Sequence, residues 1–224
     1  ATPSAAVYHL AEPGAAVALL GAGTGTAALQ ALVFDTGAIT AVERHPAYRT
    51  MVQERFREFA GWDHLAARVR WVVNDPRRHL QANPAHYGVI QIPLAGGGGG
   101  AAALESDYTL TREALAEYWA GLSPGGLLAV SRWADLPPRD ALRLAGMVIE
   151  LLEGEGLRAA DHLAMLRDWS SVTLIAARRA LGGADVARLR DFCRRQGFDG
   201  VHWPGIREDE VNRFHRQAAP LLHR

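Results

Sequence analysis

Residues 17–25 read Val-Ala-Leu-Leu-Gly-Ala-Gly-Thr-Gly, an apolar run closed at once by Gly21, Gly23 and Gly25. The stretch after them, Ala27 to Phe34, carries Ala and Leu at helical spacing. A buried strand that ends in a glycine-rich turn and feeds a helix lets the backbone approach a ligand closely. The helix N-terminus then presents free N–H groups to it. By itself this unit signals a nucleotide-type ligand and leaves open which one.

Outward from the turn, short apolar strands alternate with amphipathic helices, the pattern of a parallel α/β sheet. Strands are expected at Val17–Leu20, Ile39–Glu43, Val69–Asn74, Tyr87–Ile92 and Leu127–Arg132. Helices are expected over Ala47–Ala60, Arg77–Ala82, Arg112–Leu122 and Arg139–Gly154. Ser123-Pro-Gly-Gly reads as a helix stop and turn. The β-rich stretch Ser170–Ala177 is expected to pair with a strand near Leu163–Arg167 and close the sheet edge. Gly96–Gly100, followed by three alanines, predicts a mobile loop at the carboxyl end of the fourth strand, where open α/β sheets bind ligands. Residues 1–180 form the expected main domain. Residues 181–224, with a helix at Ala184–Gln196 and an aromatic tail (Phe198, Trp203, Phe214), form a small C-terminal helical extension packing on it.

Composition narrows the chemistry. The 224 residues carry 24 basic and 24 acidic side chains, so no global basic excess points to nucleic acid. Every basic residue is Arg, which removes any Schiff-base, Walker or general-base lysine. The single Cys193 forbids an internal disulfide and a cysteine-based zinc site, and reads as a half-buried helical thiol. Nine histidines lack tight pairing, so no metal site is expected, and no Gly-x-Ser-x-Gly elbow points to a serine hydrolase. No segment approaches 18 uninterrupted apolar residues, which predicts a soluble, cytoplasmic chain without a signal peptide. The start at Ala1 rather than Met suggests a mature or excised fragment.

The turn itself separates two cofactor classes. A dinucleotide fingerprint requires Gly or Ala at the sixth position, where Thr26 stands, and the third glycine comes one place early at Gly25. Gly-x-Gly-x-Gly, with Ala22 between its first two glycines, is the form seen in S-adenosylmethionine-dependent enzymes, where an amino-acid tail lies over the turn. Glu43 ends the second strand 22 residues after Gly21, the spacing at which an acidic side chain accepts from ribose hydroxyls. Asn74 and Asp75 end the third strand; they could hold an adenine amino group or cap the helix that starts at Pro76. Gln91 interrupts an apolar strand end and faces either a ligand or a buried hydrogen-bond partner. Tyr108, Arg132 and Trp133 are the substrate-side candidates, and the Arg77-Arg78 pair reads as a solvated helix face.

The ordered set GAGTG, VERHP, VVNDPRRHL, YGVIQIPL and YTLTREALAEYWAGLSPGGLLAVSRW resembles the spermidine synthase (polyamine aminopropyltransferase) group over about residues 7–180. It is closest to a bacterial branch often fused to membrane-spanning segments. The later Gly-Phe-Asp and Trp-Pro-Gly-Ile-Arg stretches are similar to the same branch. The resemblance implies a Rossmann-like, seven-stranded, three-layer class I methyltransferase sheet. It implies S-adenosylmethionine or its decarboxylated form as cofactor, with the tail over Gly21, Gly23 and Gly25, the ribose on Glu43 and the adenine on Asn74 and Asp75. It also implies a small-molecule acceptor, a homodimer and covalent fusion to membrane segments, which would make this a cytoplasmic domain.

Two departures qualify the resemblance. The family follows its fourth strand with an Asp-x-x-Asp pair that binds and deprotonates the amine, and here those positions read Pro93-Leu-Ala-Gly96. The aspartate usual after the strand-opening Tyr87 is Gly88, and no room exists before Val17 for the family's N-terminal β-domain. The catalytic residues are therefore unassigned. The leading expectation is a transferase of this type whose acceptor is no ordinary polyamine. The alternatives are a methyltransferase and a non-catalytic nucleoside-binding module of a larger membrane protein.

Overall fold

A computed structural model describes residues 2–83, 86–94 and 108–211. Among these residues eight strands form one mixed sheet in the order β3-β2-β1-β4-β5-β7-β6-β8. They are β1 (Ala15–Leu20), β2 (Thr36–Glu43), β3 (Val69–Val73), β4 (Tyr87–Ile92), β5 (Leu122–Trp133), β6 (Leu163–Arg167), β7 (Ser171–Ala177) and β8 (Asp199–His202). The strands from β3 to β5 run parallel, and β7, β6 and β8 add antiparallel pairs. Seven of these make the expected Rossmann-like sheet. The eighth, β8, comes from the stretch read as an aromatic tail.

Alternating strand residues enter two separate apolar clusters, which is why the central strands read as unbroken apolar runs. Val17 and Leu19 pack with helices α1 (Ala6–Leu10), α2 (Thr26–Leu32), α4 (Trp62–Arg68) and α9 (Gly183–Gln196). Ala18 and Leu20 face the other way, toward α5 (Pro76–Ala82), α6 (Arg112–Ala120) and α7 (Arg139–Gly154). The short α3 (Pro46–Thr50) follows β2, and α8 (Ala159–His162) precedes β6. Helices thus cover both faces, giving three layers.

Local sequence explains several boundaries. Thr111 caps α6 by accepting from the Ala114 N–H at 3.2 Å, and Gly197 ends α9 at a φ of 69°. The helix expected over Ala47–Ala60 is broken. After α3 the chain widens, with the Phe56 N–H donating to Met51 O at 3.1 Å, and it turns before α4. Ser123-Pro-Gly-Gly does turn, but inside β5. It bulges out between the Tyr87–Leu122 and Val89–Leu127 rungs, with Gly125 at a φ of 77°. Phe198 packs on Phe192 and Trp203 is buried, while Phe214 and Gly96–Gly100 lie outside the described residues.

Cys193 is buried in α9, and burial pushes its thiol up to about 12, as suits a packed rather than a nucleophilic sulfur. Among the described residues no helix is long and apolar enough to cross a membrane.

The two chain segments flanking the sheet are joined by an ion cluster. The Arg179 guanidinium donates to both Asp185 oxygens, at 2.5 and 3.0 Å, and to Leu10 O at 3.1 Å. Arg188 donates to Asp185 at 2.6 Å. Burial raises the Asp185 pKa, but these bonds outweigh it and bring the carboxyl down to about 2. A carboxyl depressed in the folded state stabilises above its unfolded pKa, and that contribution is lost as pH falls through the folded value. Asp185→Asn should therefore cost about 2 kcal/mol at pH 7, read by urea denaturation. The difference from the wild type should shrink between about pH 4 and pH 2, and an unchanged gap would refute the assignment.

Candidate functional site

Strand order reverses between β1 and β4, the place where open α/β sheets bind ligands, and β1 ends there in its glycine turn. The Gly21 and Ala22 N–H groups both donate to Val42 O, at 2.9 and 3.0 Å, and the Gly25 N–H closes the turn onto Ala22 O at 2.9 Å. Gly21, Gly23 and Gly25 have φ values of 82°, 53° and 88°, which L side chains rarely adopt. Their surroundings differ. A Cβ on Gly21 or Gly23 would meet no atom within 4 Å, whereas on Gly25 it would meet Leu65 at 3.0 Å and Trp71 at 3.3 Å. The first two glycines face open space and the third makes room for the core.

Glu43 organises this edge. It is 5% exposed; its Oε2 accepts from the Gly23 N–H at 2.7 Å and its Oε1 from the His45 N–H at 2.9 Å. Each carboxylate oxygen offers two lone-pair directions, so each keeps one for a further donor such as a diol. The Asn74 N–H donates to Glu43 O at 3.0 Å, which brings the end of β3 to the same place.

Asp75 caps α5, its Oδ1 accepting from the N–H groups of Arg77 and Arg78 at 3.0 and 3.2 Å, with Pro76 at the first helical position. Its Oδ2 accepts from Arg44 at 3.0 Å, and Asn74 Oδ1 accepts from the Asp75 N–H at 2.8 Å. Of the Arg77-Arg78 pair, Arg78 is exposed as expected, whereas Arg77 is half-buried. It grips Glu117 of α6 through two bonds, at 2.9 and 2.5 Å.

Gln91 sits between Leu19 of β1 and Ala129 of β5 and is fully buried. Its Oε1 accepts from the Tyr8 hydroxyl at 2.5 Å, and its Nε2 has no hydrogen-bond partner among the described residues. Tyr8 stacks on Phe34 with ring centres 5.0 Å apart, and burial pushes its phenol pKa up. Arg132 pairs with Asp140 of α7 at 3.0 Å, Trp133 ends β5, and Tyr108 stands exposed before α6.

The fold therefore gathers Gly21, Ala22, Gly23, Gly25, Glu43, Asn74 and Asp75 at the ends of β1 to β3. It sets Gln91 inside the sheet's helical cover and places Arg132 and Trp133 two strands from β1. Two features escape a reading by sequence. Gly88 has no space for an acidic side chain, since a Cβ would lie 2.7 Å from that of Ala15. Trp169 stands 89% exposed on the β6–β7 turn, and only the unusual Asp-Trp-Ser-Ser composition of that turn hints at it.

No protein-family model matches the sequence, and no curated protein sequence matches it. Solved structures do. A probable spermidine synthase from Corynebacterium glutamicum superposes with a TM-score of 0.58 at 20% identity, over 79% of this chain and 61% of that one. Human methyltransferase-like protein 13, solved with SAH, gives 0.60 at 15% identity over 86% and 89%. A spermidine synthase solved with the transition-state analogue AdoDATO gives 0.60 at 13% identity over 96% and 71%. The fold is that of the class I methyltransferases. The chain spans about three-fifths of the Corynebacterium structure.

Gly25→Ala tests the division of labour among the glycines. Positive φ costs about 1–2 kcal/mol in a non-glycine residue, and contact with Leu65 adds to it. The melting temperature should fall by about 4 °C or more, and by more than in Gly21→Ala, which meets open space. Equal losses in the two variants would show that packing at Gly25 is irrelevant.

Proposed function

We propose that this chain binds S-adenosylmethionine or its decarboxylated form at the Gly21–Gly25 turn and transfers a group from it to a small-molecule acceptor. The observation that carries the reading is Glu43. Its buried carboxylate is fixed by two backbone N–H groups, keeps acceptor capacity on both oxygens, and stands beside the open space over Gly21 and Gly23. A ribose diol fits that arrangement, since two hydroxyl donors would meet two fixed acceptors. The amino-acid tail would lie over Gly21 and Gly23. Asn74 and Asp75 border the adenine end, where the capping bonds of Asp75 hold the carboxylate in place. Likeness to structures solved with SAH and AdoDATO supports the same ligand class.

The cofactor supplies a carbon made electrophilic by an adjacent sulfonium. This chain's contribution is to orient it, exclude water and hold the acceptor. Pro93 and Leu94 follow β4 where the resembling family has its first aspartate, so no carboxylate stands at that place to take an amine proton. That observation favours a second form of the reading, methyl transfer to an acceptor nucleophilic without a protein base there.

Titration calorimetry with S-adenosylmethionine, its decarboxylated form and methylthioadenosine tests the proposal. At least one should bind, and Glu43→Ala should weaken it by about 1–3 kcal/mol, the scale for hydrogen bonds to a charged group. Glu43→Gln keeps one oxygen acceptor and should lose less. Absence of binding by all three ligands would end the cofactor reading, and unchanged affinity in Glu43→Ala would end the ribose assignment.

A further inference from the structure

Gln91 stands on β4 beside β1, at the point where the strand order reverses. It is fully buried, with Leu19 of β1 and Ala129 of β5 as its rung partners. By strand alternation it shares a face with Val89, and Val89, Leu19 and Ala129 all belong to one apolar cluster. A primary amide has two donor and two acceptor directions, and the Tyr8 hydroxyl meets one of them by donating to Oε1. Burial pushes the Tyr8 phenol pKa up, which keeps it protonated as that donor. Nε2 is left with no hydrogen-bond partner among the described residues and no exposure to water. A half-satisfied amide among apolar side chains is costly unless an acceptor arrives from elsewhere.

The order of the strands says which part of a ligand could supply one. Outward from β1, Glu43 ends β2, and Asn74 and Asp75 follow β3. β4 flanks β1 on the opposite side, so a tail over Gly21 would be the part of the ligand nearest to Gln91. Leu19, the rung partner of Gln91, precedes Gly21 by two residues, which puts the Gln91 and Gly21 backbones ~8 Å apart. Residues 21–25 carry no charged side chain to receive a tail carboxylate.

We infer that Gln91 is a specificity-determining residue: its Nε2 donates to the carboxylate of the S-adenosylmethionine tail, so this chain takes that ligand in preference to the decarboxylated form. The inference rests on the cofactor reading above and chooses between its two ligands. A carboxylate supplies the acceptor that Nε2 lacks, and the bond is stronger for being out of water. The decarboxylated tail ends in an ammonium, a donor with nothing to offer a second donor. Because Nε2 is closed to water, a tail must press into the cover over β4 to reach it, and only the carboxylated tail gains by doing so.

The test titrates the full chain by calorimetry with S-adenosylmethionine, its decarboxylated form, S-adenosylhomocysteine and methylthioadenosine, which has no tail. The wild type should bind S-adenosylmethionine at least about tenfold tighter than the decarboxylated form. Gln91→Met should weaken S-adenosylhomocysteine about tenfold, the scale of one hydrogen bond to a charged group, and leave methylthioadenosine unchanged. In Tyr8→Phe/Gln91→Met both ends of the buried bond become apolar, so no polar group is left unpaired to disturb folding, and the same selective loss should appear. Equal affinity for the two forms in the wild type would overturn the inference and leave the cofactor reading standing. So would an unchanged ratio of S-adenosylhomocysteine to methylthioadenosine affinity in both variants. Binding by none of the four would end the cofactor reading itself, and the inference with it.

Discussion

The buried carboxylate of Glu43, held between the N–H groups of Gly23 and His45, is the constraint on which the functional edge depends. A charge removed from water is costly unless hydrogen bonds replace its hydration, and two backbone donors do part of that work here. In return the carboxylate fixes the middle of a glycine turn that has few side chains of its own to hold it. Val42 O takes the Gly21 and Ala22 N–H groups, and Glu43 O takes that of Asn74. The ends of β1, β2 and β3 are thereby locked to one another through a single pair of residues on β2. Such a site places acceptors accurately because backbone, not flexible side chains, sets their positions.

Behind that edge, the layered core does the energetic work and explains the tolerance for a costly site. The strands bury both faces, with Val17 and Leu19 in one cluster and Ala18 and Leu20 in the other. The Arg179–Asp185 pair, through Leu10 O, then fastens α9 and α1 together over the same face. Thr2–Leu10 and the helix after Leu181 act as one cover over the sheet rather than as two loose ends.

What was legible in the sequence is what local chemistry decides. The strand–glycine–helix unit, the acidic end of β2 and the Asp-Pro start of α5 each follow from residues adjacent in the chain. The illegible parts depend on distant partners. Gln91 alone cannot reveal that Tyr8, 83 residues away, supplies its hydrogen bond. Met51, Val52, Phe56 and Phe59 have the spacing of a continuous amphipathic helix, yet Phe56 and Phe59 stand exposed and Gly61 turns the chain at a φ of 62°. β8 is four residues long and carries Gly200, which reads as a breaker. The glycine is there because the Trp203 ring lies where its Cβ would be, at 2.1 Å.

The two halves of the carboxyl edge differ in how freely they can change. At β1 to β3, positive φ values and buried bonds to backbone leave little room for substitution without loss of fold. At the β6–β7 turn Trp169 stands exposed on a segment whose backbone Asp168 holds through the N–H groups of Ser170 and Ser171. Replacing that side chain would leave those bonds in place. Gly88 of β4 is fixed for a different reason, the close approach of Ala15 to where its Cβ would stand.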